Sequence, residues 1–159
     1  MEKLNVVCVD DQREVLSAVA QDLEMFSDWL SIEECESAGE ALAFMDELDA
    51  QGEYVAVLVS DHVMPEKTGI QLLTEVAQDI RFKHTKKVLL TGQATHSDTI
   101  TAINAAGIDH YFEKPWNPQQ LQNAIRTLVS EYVFQQGFDY LEYQQHLDSN
   151  VVLKYLREI

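Results

Sequence analysis

The chain has 159 residues, is 46% hydrophobic, and carries 27 acidic against 11 basic residues for a formal net charge of −16. That length and apolar content suit one domain with its own core plus a short appendage, and the charge disfavours direct contact with nucleic-acid backbones or anionic membranes. The two cysteines, Cys8 and Cys35, sit in apolar strand-like runs without metal spacing, which predicts buried reduced thiols; with no signal peptide and no apolar run of membrane-spanning length, a cytoplasmic protein is expected.

In chain order, strand and helix patterns alternate five times. Strand 1 is Leu4 to Val9, followed by a helix with Val15, Leu16, Val19, Ala20, Leu23 and Phe26 at helical spacing. Strand 2 spans about Leu30 to Glu36. Helix 2 covers roughly Gly39 to Leu48 on Ala41, Leu42, Phe44 and Met45. Strand 3 is Val55 to Ser60, and helix 3 runs from about Thr68 to Ile80 on Ile70, Leu72, Leu73, Val76 and Ala77. Strand 4 is Lys87 to Leu90. Helix 4 starts near Ser97-Asp98 as an N-cap and stops at Gly107. Strand 5 is about His110 to Glu113, and helix 5 opens at Asn117-Pro118, where Asn can cap and Pro fits the first turn. Residues 131–159 fall outside this alternation. Their apolar residues predict one or two helices, broken near Gly137 and Asp148-Ser149-Asn150, with a poor heptad fit. The expected organisation is a domain over residues 1–130 and a helical extension or linker over 131–159, which could lead into an output domain.

Strands that are apolar throughout imply burial on both faces, and their alternation with helices implies a parallel sheet with right-handed crossovers. The expected fold is a three-layer α/β/α sandwich. Strand order cannot be read from periodicity, but 2-1-3-4-5 is one of the two common doubly wound solutions. With that order, Asp10, Asp11, Asp61, Thr91 and Lys114 converge at one edge of the sheet. Three carboxylates together repel and need a cation, and a hard-oxygen set suits Mg²⁺. A lysine and a hydroxyl facing a metal-bound carboxylate are what a phosphoryl group requires. Asp61, the lone acid on a central strand, is the best nucleophile on geometry. Plain structural roles stand beside these. Asp10-Asp11 could cap helix 1, Thr91 could be a β-former before a turn, Tyr111 and Trp116 could only pack, and His62 could be a solvated or packed histidine.

Over roughly residues 4–130 the chain resembles a two-component response-regulator receiver domain of the CheY-like superfamily. The resemblance is carried by Asp10-Asp11, by Asp61 with Met64-Pro65 and Gly69 behind it, by Leu90-Thr91-Gly92, by Ala106-Gly107 and by Lys114-Pro115-Trp116. It implies a flavodoxin-like fold and a phosphorylation-controlled module that catalyses only its own phosphorylation and dephosphorylation. Asp61 would be the phosphoacceptor, served by a sensor histidine kinase or a phosphotransfer protein of a phosphorelay. Asp10, Asp11, Asp61 and the backbone carbonyl of Val63 would hold Mg²⁺. Thr91 would donate to the phosphoryl group and move toward it, and Lys114 would pair with a phosphoryl oxygen. The Lys114-Pro115 bond would be cis, and Tyr111 would be the aromatic switch. The responsive surface would be helix 4, strand 5 and helix 5, with a protein partner or a homodimer as its readout.

Val63 and Gln93 depart from the commonest pattern at the positions that flank the phosphoryl group. Val63 cannot position water with its side chain, which predicts a phosphoryl lifetime of minutes or longer. An alternative is the regulatory N-terminal fragment of a larger signalling enzyme with a cyclic-dinucleotide or histidine-kinase output, hinted at by Lys114-Pro115-Trp116-Asn117 before a long helix. An aspartyl-phosphate phosphatase would need a second acid two residues after its nucleophile, where Val63 and Gln12 stand. A flavin-binding role would need a Ser/Thr/Gly-rich cradle where the first loop is acidic.

Overall fold

A computed structural model describes residues 1–92 and 97–158, except the side chain of Asp98. The apolar runs form five strands: β1 (Leu4–Val9), β2 (Leu30–Cys35), β3 (Tyr54–Asp61), β4 (Lys86–Thr91) and β5 (His110–Glu113). They join in one parallel sheet of order β2-β1-β3-β4-β5. The central strands β1 and β4 are buried along their whole length, as is β3 beyond its first residue. The edge strands differ from the expectation of uniform burial. β2 leaves Glu34 exposed and β5 leaves His110, Tyr111 and Glu113 exposed, because an edge lacks a neighbour on one side.

The helices are α1 (Arg13–Leu23), α2 (Ala38–Ala50), α3 (Gly69–Ala77), α4 (Ser97–Ala106), α5 (Pro118–Gln136) and α6 (Ser149–Arg157). Successive strand residues point to opposite faces, so Val6 and Cys8 pack with α1 and α5 while Val7 and Val9 pack with α2 and α3. A fully buried residue such as Leu72 or Ile125 contributes about 1.5–3 kcal/mol through removal from water. These two clusters make the three-layer sandwich.

Several boundaries shift for local reasons. α1 stops at Leu23, and Glu24–Phe26 is a 3₁₀ turn that still delivers Phe26 to the core. Thr68 caps α3 in a reciprocal capping box with Gln71, and the helix ends at Ala77, so Ile80 falls in a 3₁₀ turn and is exposed. Asp10 and Asp11 do not cap α1, whose N-cap is Gln12 without a side-chain bond. Asn117 accepts from the Gln120 N–H and Pro118 opens α5. α4 begins at Ser97, while the capping role read for Asp98 and the side chain of Gln93 lie outside the described residues. No helix among the described residues is long and apolar enough to cross a membrane.

α5 runs on past residue 130 and ends at Gly137, whose φ of 83° is the left-handed cap. Asp148 then accepts from the N–H groups of Asn150 and Val151 to start α6. Between the helices the chain folds back on the core. Tyr143 is 0% exposed and donates its hydroxyl to the Glu2 carbonyl at 2.9 Å. His146 stacks on Trp29 at 4.8 Å, and Phe138 meets Tyr54 edge to face. Glu2 and Tyr54 stand at the N-terminal ends of β1 and β3, so this packing is at the opposite end of the sheet from Asp10 and Asp61.

Candidate metal centre at the strand tips

Strand register brings the charged tips together. Val9 pairs with Ser60, Asp61 with Leu90, and Thr91 with Glu113. The residues one step further, Asp10 and Lys114, therefore stand beside Asp61 and Thr91. The Lys114 ammonium donates to Asp61 Oδ1 at 2.7 Å and to Asp10 Oδ2 at 3.2 Å. One carboxylate oxygen from each of Asp10, Asp11 and Asp61 lies within 4.8 Å of the others. Asp10 is 2% exposed and Asp61 and Thr91 are also buried, while Asp11 is exposed to solvent. The arrangement can hold a hard cation through oxygen donors, and it juxtaposes that cation with an ammonium group and a hydroxyl.

The electrostatics show a site short of positive charge. Burial pushes the Asp10 carboxyl above its ordinary range, and the neighbouring Asp61 adds to that, against the Gln12 N–H and Lys114, which favour the ionised form. For Lys114, burial disfavours the ammonium, but the hydrogen bond and charge of Asp61, joined by those of Asp10, more than offset it and raise its pKa. One lysine thus serves two buried acids, with Asp11 beside them. The donor chemistry fits a divalent cation.

The loop after β3 sets the position of Asp61. Gly69 starts α3 so close to β3 that a Cβ there would stand 2.0 Å from the Asp61 carbonyl oxygen. Its N–H donates to the His62 carbonyl at 2.8 Å. Glu66 takes a left-handed φ of 70°, and Lys67 N–H closes a tight turn onto the Pro65 carbonyl.

Of the residues singled out in the sequence, Asp10, Asp11, Asp61, Thr91 and Lys114 lie together at the strand tips. The Lys114-Pro115 peptide is cis. The Val63 side chain is 64% exposed beyond the site, and Tyr111 is 40% exposed on the edge strand. His62 is half-buried, and burial lowers its pKa, which favours the neutral ring. Sequence reasoning missed the role of Trp116. Its indole N–H donates to Asp22 at 2.7 Å, and Gln122 of α5 donates to the Asp22 carbonyl at 2.8 Å, tying the loop behind Lys114 and the start of α5 to α1. The signal available was the polar handle that even a half-buried tryptophan tends to satisfy.

A doubly wound parallel sheet whose tips gather an acidic pair, a third acid, a threonine and a lysine defines the receiver class of two-component signalling modules. Residues 6–126 match the response regulator receiver domain, and the chain belongs to that family. Chemotaxis protein CheY1 of Helicobacter pylori is 28% identical over 126 residues, covering 79% of this chain and 97% of that protein. Response regulator Rre1 of Synechocystis is 29% identical over 129 residues, covering 81% of this chain and 53% of that protein. A CheY-like receiver domain protein from Methanospirillum hungatei superimposes with a TM-score of 0.69 at 27% identity, over 85% of this chain and 99% of that one.

Proposed function

We propose that this receiver is switched by phosphorylation of Asp61. The observation that carries the reading is the Lys114 ammonium bridging Asp61 and Asp10 at 2.7 and 3.2 Å. An Asp61 carboxylate oxygen attacks phosphorus on the phosphohistidine of a sensor kinase or phosphotransfer protein. The phosphorus–nitrogen bond breaks, the departing imidazole nitrogen takes a proton, and a mixed acyl-phosphate anhydride forms. Asp10, Asp11 and Asp61, with the Val63 carbonyl, would hold Mg²⁺, which would supply positive charge to the phosphoryl group when bound. Lys114 exchanges its bond to Asp61 for one to a phosphoryl oxygen. Thr91 donates its hydroxyl from the tip of β4, and Tyr111 turns inward as Thr91 moves, repacking the face of α4, β5 and α5. The chain then acts as a non-enzymatic cytoplasmic switch, read through a protein partner or self-association and without direct nucleic-acid binding. Residues 1–130 form the receiver, and 131–159 are an extension that begins within α5, of which residues 131–158 fold back on the receiver core. With Val63 unable to position water, the phosphoryl group persists for minutes or longer.

The test is intact mass and oligomeric state after incubation with Mg²⁺ and acetyl phosphate. Wild type gains one phosphate and Asp61→Asn gains none. An adduct on the variant, or none on wild type, rejects the assignment.

A further inference from the structure

β2 lies at the edge of the sheet with β1 as its strand neighbour. Cys35 faces β1, because its carbonyl accepts from the Asp10 N–H at 3.2 Å. By the alternation of parallel pairing, Ile32 and Glu34 direct their main-chain N–H and C=O groups outward. A groove flanks this open edge on each face. On the α1 side, about 480 Å³ of space separates Ala20, Gln21 and Glu24 from Leu30 and Ile32. On the α2 side, about 340 Å³ separates Ala43, Phe44 and Glu47 from Glu33 and Cys35. Each groove mixes polar and apolar lining, and its apolar part joins the core: Ile32 packs against the α1–α5 cluster, and Cys35 and Phe44 belong with the α2–α3 cluster.

We propose that this edge docks an extended peptide segment of a partner protein, in which basic residues alternate with small apolar ones. A strand added to β2 would satisfy the outward main-chain groups, and its alternate side chains would enter the two grooves in turn. The charge of the rim selects the sign of the partner. Glu24 borders the first groove, and Glu40 and Glu47 border the second. Glu33 and Glu34 stand on the strand itself, and no ion pair among the described residues engages any of these five acids. The Cys35 thiol lies in the field of two of them: burial first, then Glu40 and Glu33, push it up to about 12. Charge argues against a second copy of the chain as the occupant, since each copy carries a net charge of −16 and β2 itself carries Glu33 and Glu34. The surface is at the opposite edge of the sheet from β5, and it does not depend on the chemistry of Asp61.

The test is titration of the ¹⁵N-labelled 159-residue chain with the probe acetyl-Lys-Val-Lys-Val-Lys-Val-Lys-amide. Shift changes are expected in residues 30–35 and in the facing stretches 20–24 and 40–47, with the Ile32 and Glu34 amides gaining protection from exchange. N-methylation of alternate peptide amides keeps the charge but removes the ladder, and should weaken binding about tenfold, as should the double variant Glu33→Lys with Glu34→Lys. The proposal is overturned by no binding, by shifts spread over the acidic surface, or by an N-methylated peptide that binds as well as its parent. The peptide pair needs no protein variant, so a misfolded double variant leaves the decision intact.

Discussion

Gly69→Ala should damage fold and site together through one added carbon. The new Cβ would stand 2.0 Å from the Asp61 carbonyl oxygen, 2.9 Å from its carbonyl carbon and 3.0 Å from the His62 Cα. All three are backbone atoms, so no rotamer change relieves the clash. Restoring an allowed contact requires the start of α3 and the end of β3 to separate by about 1 Å. The same movement stretches the 2.8 Å bond from Gly69 N–H to the His62 carbonyl. Overpacking costs about 1–3 kcal/mol and a weakened buried hydrogen bond about 1 more. A loss of about 2–4 kcal/mol corresponds to a Tm lowered by about 4–16 °C at this chain length. Asp61 sits on the displaced backbone, and a misplacement of about 1 Å at a reacting group can cost about 100-fold in rate. Urea unfolding followed by tryptophan fluorescence reads the first effect, and the rate of phosphate-adduct formation from acetyl phosphate reads the second. A variant with the wild-type midpoint and rate would refute the clash argument. A destabilised variant with the full rate would show that α3 moves and Asp61 does not.

Lys114→Met leaves the buried carboxylates of Asp10 and Asp61 without their cation and should cost about 3 kcal/mol in chelator, at the low end for breaking a buried pair. Mg²⁺ should then raise the Tm of the variant by more than it raises that of wild type, and equal increments would refute the charge-deficit reading. Asp10 must be ionised to bind a metal and its pKa is raised, so on acidification it takes up a proton before an ordinary aspartate would. Mg²⁺ affinity should therefore begin to fall above the ordinary carboxylate range, with proton release on binding detectable by calorimetry in two buffers. An affinity that stays flat until about pH 4, near the ordinary aspartate pKa, would contradict this. Tyr143→Ala removes a fully buried ring that meets Trp29 and Phe138, together with the bond to the Glu2 carbonyl, and should cost about 3–5 kcal/mol. Trp29 emission should shift to the red in the folded variant, and a loss under about 1 kcal/mol would mean that the tail adds little to the core.

The elements were legible because their causes are local. The run Val55–Val59 can bury both faces only as a central strand, and Thr68 with Gln71, or Asn117 with Pro118, are caps that act within one turn. The acids at the strand ends were legible for the same reason, since each ends its own run. What no local pattern contains is which strands are neighbours. Lys114 meets Asp10 across 104 residues and Asp61 across 53, and that meeting exists only once β1 and β3 lie side by side with β4 and β5 next in line. The tie from Trp116 to Asp22 is equally non-local. The helices of the tail were legible, with breaks at Gly137 and Asp148-Ser149-Asn150 where the sequence indicated them, but the surface they dock on was not. Tyr143 lies outside α6 and fills the end of the sheet beside Trp29, a surface assembled from several elements. Periodicity records what one segment buries, so the sequence by itself determined the strands, the helices and the residues at their tips. The choice of strand neighbours, the charge balance around Asp61 and the docking of the tail come from burial shared between distant segments, and only the tertiary structure decided them.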